Sequence, residues 1–328
     1  MGCGSMIWLA WRQHRKQALF TVIGLAVLAA IIIPTGIVAH HAFVRDGAAD
    51  CLRKLGTAPL IQQNGPGCDA AVQRFTDQYA ALSQIGQLFI FLPLLVGLFW
   101  GAPLVAREVE HGTHRLVWTQ AVSRQRWAAV KIGLVGAFTL VVATVYGLGL
   151  SWWFQPWANT GDGRLGHLMF DVQGIAPIGY TLFAVALGIF AGTVWTKMLP
   201  AMAAVLVGFL GVRAVFTVLA RPHLLPAKVL TFPLTSGMQP NQYSGDWIMG
   251  VGVRDPSGKM IAANTIITCP PQAGDCGTQT GITAADHNWQ LYQQGSRFWT
   301  FQGIETVVYL ALAVLLIYLT FRRIRRIA

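Results

Sequence analysis

The chain is short of charge, and of acidic charge most of all. Charged residues occupy 11% of its 328 positions and hydrophobic residues 54%, whereas a soluble globular domain carries roughly 25% charged residues. Only 13 side chains are acidic, against 24 lysines and arginines. These shortages exclude a soluble domain with an ordinary polar surface, and they indicate an integral membrane protein.

The sequence also lacks the common motifs of nucleotide hydrolysis and of hydrolytic catalysis. Its one Gly-Lys pair, Gly258 and Lys259, has Val253 where a phosphate-binding loop needs its first glycine. Met260 then stands where that loop needs the Ser or Thr that binds magnesium. No GxSxG and no HExxH motif occurs either. We therefore predict that the chain is not an enzyme and does not hydrolyse ATP alone.

One group of residues has the composition of a metal site. Two carboxylates and two imidazoles lie close together in the sequence: Glu108, Glu110, His111 and His114. The intervening glycine and threonine interrupt the helix that would align them, and catalytic zinc needs a third protein ligand. A membrane metallohydrolase is one interpretation. We predict instead that these are polar contacts at a protein interface and that the chain binds no metal.

Six apolar runs are long enough to cross about 30 Å of hydrocarbon, which takes roughly 20 helical residues. They cover residues 18–38, 85–106, 128–150, 175–195, 198–219 and 303–321. Glycine and proline occur within them, which membrane helices tolerate because neighbouring helices satisfy the freed backbone groups. We predict an all-α integral membrane protein with six transmembrane helices, the first five within residues 18–220.

Basic residues are concentrated at one end of the predicted bundle. If both termini are cytosolic, the inner segments hold 13 of them against Glu108 and Glu110, while the outer segments hold ten basic residues and ten aspartates. Lysine and arginine favour short cytosolic loops. We therefore predict cytosolic termini and a multi-pass protein of the plasma membrane. The net charge of +11 then reflects topology and anionic lipid headgroups, not nucleic acid.

The N-terminal segment has more than one interpretation. Residues 1–5 resemble an expression-vector remnant. In residues 6–17, two tryptophans fall on one side of a helix and basic residues on the other, which predicts an amphipathic helix in the headgroup plane; an ordinary basic flank explains them equally well. The apolar run after this segment exceeds the 7 to 15 residues of a signal-peptide core, so we predict a retained first span.

Cysteines occur in pairs in two of the outer segments. Cys51 and Cys68 fall in the first outer loop, and Cys269 and Cys276 fall in the third. An oxidising compartment favours disulfides, so we predict that each pair is bonded. Unpaired thiols are the alternative.

The last outer segment, residues 221–300, is predicted to be a large loop. Residues 301–328 follow it and contain span six and the basic cytosolic tail. The loop contains short β-like runs such as residues 260–268 between turn residues. Residues 223–238 are apolar but broken by prolines, which predicts an interfacial or re-entrant segment.

Two ionisable residues lie within the predicted spans. Arg213 in span five and Glu305 in span six are costly in hydrocarbon and are functional candidates for that reason. Their depths allow them to meet, which predicts an intramembrane ion pair. Contact between Arg213 and a substrate is the alternative.

A polar, basic island at residues 107–131 separates spans two and three. Thr113 can cap a short helix over residues 112–122, and Ser123 can cap span three. Trp118 is placed to anchor the short helix at the membrane interface. The island therefore predicts a helix that lies flat against the inner membrane surface.

These features together resemble the permease subunits of ATP-binding-cassette transporters of the type-2 exporter family, particularly actinobacterial members. The resemblance is carried by WLAWRQHR at residues 8–15, GAPLVAREVEHGTHRLVWTQAVSRQRWAAVK at 101–131 and RFWTFQGIETVVYLALA at 297–313. It extends over essentially the entire chain and is weakest in the outer loops.

The resemblance implies how such a chain is driven. It implies an amphipathic connecting helix, a coupling helix within the loop at residues 107–127, a second coupling turn at 196–199 and a large outer loop. It also implies two copies of a cytosolic ATPase, which hold the ATP and magnesium, and a second permease chain. Residues expected to contact the ATPase are Glu108, Glu110, His111, Arg115, Leu116, Trp118, Arg124 and Arg126.

The resemblance further implies a substrate cavity lined mainly by spans two and five. The candidate lining residues are Phe89, Phe91, Phe99, Trp100, Phe209, Arg213 and Phe216. Their apolar, aromatic character favours a lipophilic or amphipathic substrate such as a drug, an antibiotic, a lipid or a peptide. The alternative function is an ATPase-linked sensor or resistance module that binds a peptide or antibiotic without moving it.

Overall fold

The computed structural model describes residues 3–62, 68–110, 124–160, 163–195, 197–269 and 281–326. In this part of the chain, six helices are long and apolar enough to cross a membrane. They are Arg15–Arg45, Ala80–Arg107, Ala128–Trp153, Ala176–Val194, Met198–His223 and Gly295–Arg325, numbered here as spans one to six. The predicted six-span architecture is thereby confirmed. We call the end of the bundle with the terminal segments the inner end, and the opposite end the outer end.

The helices extend beyond these spans or interrupt them. The α-helices are α1 Cys3–Arg45, α2 Ala48–Leu55, α3 Asp69–Gln78, α4 Ala80–Gln87, α5 Leu92–Val96, α6 Ala102–Glu110, α7 Arg124–Trp153, α8 His167–Val172, α9 Ala176–Val194, α10 Met198–Val215 and α11 Phe298–Arg326. The predicted amphipathic helix at residues 6–17 is helical, but α1 continues from it into span one without a break.

Spans two and five are irregular helices. Span two contains a 3₁₀ turn at Leu88–Phe91 and a π turn at Gly97–Gly101. Span five contains a π turn at Phe216–Ala220 and ends in a 3₁₀ turn at Arg221–His223. Isolated π turns in α-helices are rare and frequently occur at functional sites. Together these two turns carry span five four residues past its predicted boundary at residue 219, to His223, so that it includes Arg221.

Span four is the centre of the bundle. About 72% of the residues in its most apolar stretch are buried, against 17% in the corresponding stretch of span one. Glycines allow span two to approach it closely: a Cβ atom on Gly188 would lie 2.6 Å from the Ala102 nitrogen and 2.7 Å from the Gly97 carbonyl oxygen. Such small-residue contacts bring membrane helices together by van der Waals packing. Spans two and four therefore form a tightly packed pair.

The outer loop before span six forms an antiparallel sheet. Its strands are β2 Lys228–Pro233, β4 Trp247–Arg254, β5 Met260–Ala263 and β6 His287–Gln293, in the order β2-β6-β4-β5. The segment predicted to be interfacial or re-entrant contains β2, which pairs with β6 along its whole length. The re-entrant form of that prediction was wrong, because the segment forms a strand of the outer sheet with Phe232 buried and Val229 exposed. The interfacial form stays a prediction.

A second small sheet joins the first outer loop to the last. Strand β1, Leu60–Gln62, pairs with β3, Met238–Pro240. The Tyr243 hydroxyl donates to the Asp69 carboxylate at 2.7 Å, and burial and that carboxylate raise the pKa of Tyr243. A disulfide joins Cys51 to Cys68 between α2 and α3. Cys269 is also disulfide-bonded, and its predicted partner Cys276 lies outside the described residues.

Candidate functional site

A cavity of about 860 Å³ lies between spans one, two and five. Its walls are mainly apolar, and they consist of Gln17, Phe20, Thr21, Gly24, Leu95, Val96, Phe99, Trp100, Pro103, Arg107, Glu110, Met198 and Met202. Ligand pockets of roughly 300 to 1,000 Å³ with mostly apolar linings accommodate drug-sized molecules. The cavity therefore has the size and surface of a small-molecule site.

Polar groups are concentrated at the inner end of this cavity. Gln17 precedes the apolar part of span one, while Arg107 and Glu110 end the helix that continues span two. Higher in the cavity, the Trp100 indole N–H donates to the Thr21 hydroxyl at 2.9 Å, which fixes span one against span two. The cavity thus pairs an apolar body with a charged end, the pattern that suits an amphipathic molecule.

The Glu110 carboxylate also reaches span five. Its Oε2 atom accepts a hydrogen bond from the backbone N–H of Met198 at 3.1 Å. Met198 is the first residue of α10, and the preceding residue, Lys197, contributes no side-chain cap. The first N–H groups of a helix lack partners within the helix. Glu110 therefore caps span five from the end of the helix that continues span two.

A second site lies at the outer end of the bundle, where four buried charges form a closed ring. The ion-pair ring consists of Asp171 from α8, Arg213 and Arg221 from span five, and Glu305 from span six. Arg213 contacts both carboxylates, with its Nη1 atom 2.9 Å from Glu305 Oε1. Arg221 likewise contacts both, at 2.5 Å for Asp171 and 2.9 Å for Glu305.

The ring satisfies the charge requirements of a buried site. Two arginines balance two carboxylates, and each of the four side chains has at least two oppositely charged neighbours. The Tyr180 hydroxyl donates to Glu305 at 2.6 Å, and its ring lies under the Arg213 guanidinium at 3.8 Å. Buried ions of this kind are tolerated when geometry and additional hydrogen bonds offset desolvation. The ring fastens spans five and six to the outer end of span four.

The sequence predicted half of this ring. Arg213 and Glu305 are in contact, as expected from their depths. Asp171 and Arg221 were assigned to outer loops, because α8 is a separate short helix and because the predicted fifth span ended at residue 219. No signal in the sequence indicated the π turn at Phe216–Ala220, which precedes Arg221.

Half of the predicted coupling residues lie outside the described residues: His111, Arg115, Leu116 and Trp118. Glu108 and Arg124 belong to α6 and α7, which flank that segment. Arg126 is exposed in the first turn of α7. Glu110 is the one whose contact is defined, and that contact is within the chain. Contact with an ATPase stays a prediction for the whole set.

The predicted cavity residues divide among several environments. Phe99 and Trp100 line the cavity, whereas Phe91 is exposed on the same span. Phe89 packs edge-on against Trp153 of span three, with ring centroids 5.9 Å apart. Phe209 is buried against Phe183, and Phe216 packs on Tyr309. Within one chain, span two therefore contributes Phe99 and Trp100 to the cavity, whereas span five contributes Met198 and Met202 and none of its predicted aromatic residues. A substrate cavity lined by both chains stays a prediction.

A comparison with protein families identifies the chain. Residues 22–221 match the family described as ABC-2 membrane transporter related. No curated protein sequence and no solved structure matches the chain significantly. The family match begins within span one and ends at Arg221, so it contains three of the four ring residues and stops before the outer sheet. The chain therefore belongs to the ABC-2 membrane transporter related family, as a multi-pass permease subunit of an ABC transporter in the plasma membrane.

Proposed function

We propose that this permease exports a lipophilic or amphipathic compound, such as a drug, an antibiotic, a lipid or a peptide. The observation that supports this substrate class is the cavity between spans one, two and five. Phe20, Phe99 and Met202 give it apolar walls, while Arg107 and Glu110 give it a charged inner end. An apolar body can be buried against these walls while a polar group stays at the membrane surface, where it remains solvated.

The energy for export comes from a separate ATPase. This chain lacks a phosphate-binding loop of its own, so ATP and magnesium would be bound by the partner. We assign two ATPase copies and a second permease chain to the complex. The segment at residues 108–126 and the turn at residues 196–199 would receive the ATPase at the inner end. ATP binding then favours one of two states of the permease through differential affinity.

Phe99 provides the sharpest test of the cavity. It is 59% exposed and lines the cavity, while Phe91 on the same span is 45% exposed and does not. The permease and its ATPase would be reconstituted in proteoliposomes with a fluorescent amphiphilic dye. We expect Phe99→Ala to lower ATP-dependent dye transport about tenfold, the effect of removing one large apolar contact. Phe91→Ala is the matched control and should transport normally.

The outcome also separates transport from sensing. Dye that binds the wild-type complex without any ATP-dependent movement would favour the sensor or resistance module. Equal transport by the Phe99 and Phe91 variants would contradict the assignment of the cavity. A parallel variant, Trp118→Ala, should retain the ATPase in co-purification and lose transport, since Trp118 is proposed to receive the ATPase.

A further inference from the structure

We propose that Glu110 is a positioning residue that transmits the ATPase movement to span five within the chain, by holding the backbone N–H of Met198. This inference rests on the proposed coupling to an ATPase. It assigns Glu110 to an intrachain contact, in place of the contact with the ATPase that the sequence suggested. The hydrogen bond is 3.1 Å long and joins the end of α6 to the first residue of α10.

The electrostatics of the contact favour a carboxylate. The positive end of a helix macrodipole attracts an anion in its first turn. In α10 that turn has no acidic residue of its own, and the residue before it, Lys197, forms no side-chain cap. Glu110 supplies the missing negative charge from another element. Glu110 therefore caps α10 from a different helix of the same chain, and the contact orients span five relative to the helix that continues span two.

The surroundings of the contact show that both helices it joins are packed in the bundle. On the side of span two, α6 packs tightly on span four: a Cβ atom on Gly192 would lie 2.9 Å from the Ala102 carbonyl oxygen and 3.0 Å from the Ala106 nitrogen. On the side of span five, Leu199 is 77% exposed, while Ala201 in the same turn is fully buried in the core. A movement of α6 therefore reaches the start of span five through the packing of the two helices and through this hydrogen bond, which joins their facing ends.

The contact lies between the two segments that are proposed to receive the ATPase. Glu110 directly precedes residues 111–123, which belong to the segment proposed to receive the ATPase. Met198 belongs to the second proposed coupling turn, at residues 196–199. The hydrogen bond therefore links the two proposed coupling segments to each other. A displacement of either segment by the ATPase would move the inner end of span five.

The backbone at residue 197 permits an unusually selective test. Lys197 has an extended conformation, with φ of −111° and ψ of 144°, which is the conformation that a residue before proline adopts. Proline is also favoured at the first position of a helix. Met198→Pro thus removes the N–H donor while the helix can still begin there. Met198→Ala removes the same side chain and keeps the donor, which makes it the matched control.

The readout is a conformational change in the complete complex, independent of any substrate. Nitroxide labels are introduced at Leu148→Cys in span three and Val218→Cys in span five, both 67% exposed, in a Cys3→Ser background. Pulsed electron paramagnetic resonance then compares the label distances without nucleotide and with ATP and vanadate. We expect Met198→Pro and Glu110→Ala each to reduce the ATP-shifted population about fivefold or more, with the ATPase still bound. Met198→Ala keeps the N–H donor and should retain most of the shift, whereas Glu110→Gln keeps an acceptor without the charge and should fall between Glu110→Ala and the wild type.

Different results would overturn the role of Glu110 and the proposed function. If Met198→Pro shifts like Met198→Ala, the intrachain role of Glu110 is overturned and the proposed function stands. If Glu110→Ala releases the ATPase while Met198→Pro behaves normally, Glu110 contacts the ATPase instead, which also overturns the inference. A wild-type chain that neither co-purifies with the ATPase nor shifts on ATP binding would overturn the proposed function itself. Combining Glu110→Ala with Met198→Pro should add little to either change, since both remove the same bond.

Discussion

Arg221 and Glu305 form a bidentate ion pair, although Arg221 lies in the last turn of span five and Glu305 lies inside span six. The Arg221 Nε atom donates to Oε2 of Glu305 at 3.0 Å, and Nη2 donates to Oε1 at 2.9 Å. Both side chains are fully buried. Bidentate arginine–carboxylate pairs are directional as well as strong. The relative rotation of the two spans is therefore fixed at the outer end.

Removing one carboxylate from the ring should destabilise the permease strongly. Glu305→Gln leaves two buried arginines with Asp171 as their common counter-ion, and uncompensated buried charge costs about 3 to 5 kcal/mol. We expect a clear drop in the thermal unfolding midpoint in detergent. Asp77→Asn, which neutralises an exposed carboxylate in the outer region, is the control and should unfold near the wild-type temperature. Equal midpoints for the two variants would show that the ring does not hold the bundle together.

Exchanging the charges of Arg213 and Glu305 should fail to restore stability. In an isolated pair, Arg213→Glu with Glu305→Arg would recover the attraction that each single change removes. In the ring, the new glutamate faces Asp171 and the new arginine faces Arg221, so two repulsive contacts replace two attractive ones. The unfolding midpoint of the double variant should lie no higher than that of either single variant. Full recovery would mean that the pair acts without its neighbours.

Gly188 should tolerate no side chain. Its missing Cβ atom would meet backbone atoms of span two, including the Ala102 nitrogen at 2.6 Å, and backbone cannot move aside as a flexible side chain can. We expect Gly188→Ala to destabilise by about 1 to 3 kcal/mol, the usual cost of overpacking. Gly136→Ala in span three, where nothing lies within 4 Å, is the control. Calorimetry or a thermal shift on both variants decides the matter.

Asp246 should make the outer region less stable as the pH rises. Burial raises the pKa of this carboxyl above its ordinary value of 3.8, although the backbone N–H of Gly295 donates to it at 2.8 Å and opposes the shift. A carboxyl with a raised folded-state pKa stabilises the fold fully below its ordinary pKa, and that contribution is lost as the pH rises through the folded-state pKa.

Asp246→Asn removes the titrating group and keeps an oxygen acceptor for Gly295. We therefore expect the variant to unfold at a higher temperature than the wild type near pH 7 and at the same temperature near pH 3, below the ordinary pKa. A difference that stays constant across this range would assign the effect to packing and not to ionisation.

The parts of the molecule that were predictable are those governed by hydrophobic length. The six spans follow from apolar runs because hydrocarbon thickness fixes the number of helical residues. The contact of Arg213 with Glu305 follows from depth alone. The outer sheet does not, because the pairing of β2 with β6 joins residues about sixty positions apart, and strand pairing depends on partners that local composition does not identify. The role of Gln302 was not predicted for the same reason. Its Oε1 atom in span six accepts a hydrogen bond from the backbone N–H of Ala176 in span four at 2.7 Å.

The π turn at Phe216–Ala220 explains how both arginines of span five enter the ring. In a regular α-helix, side chains eight positions apart differ by about 80° in direction, because each residue turns the helix by about 100°. A π turn absorbs one additional residue. The separation from Arg213 to Arg221 then behaves as seven residues, and the two guanidinium groups point within roughly 20° of each other. The turn is thus equivalent to a one-residue insertion that the helix has accommodated without rotating its later residues. A related chain with one residue fewer between its two arginines would carry the same ring on an uninterrupted helix.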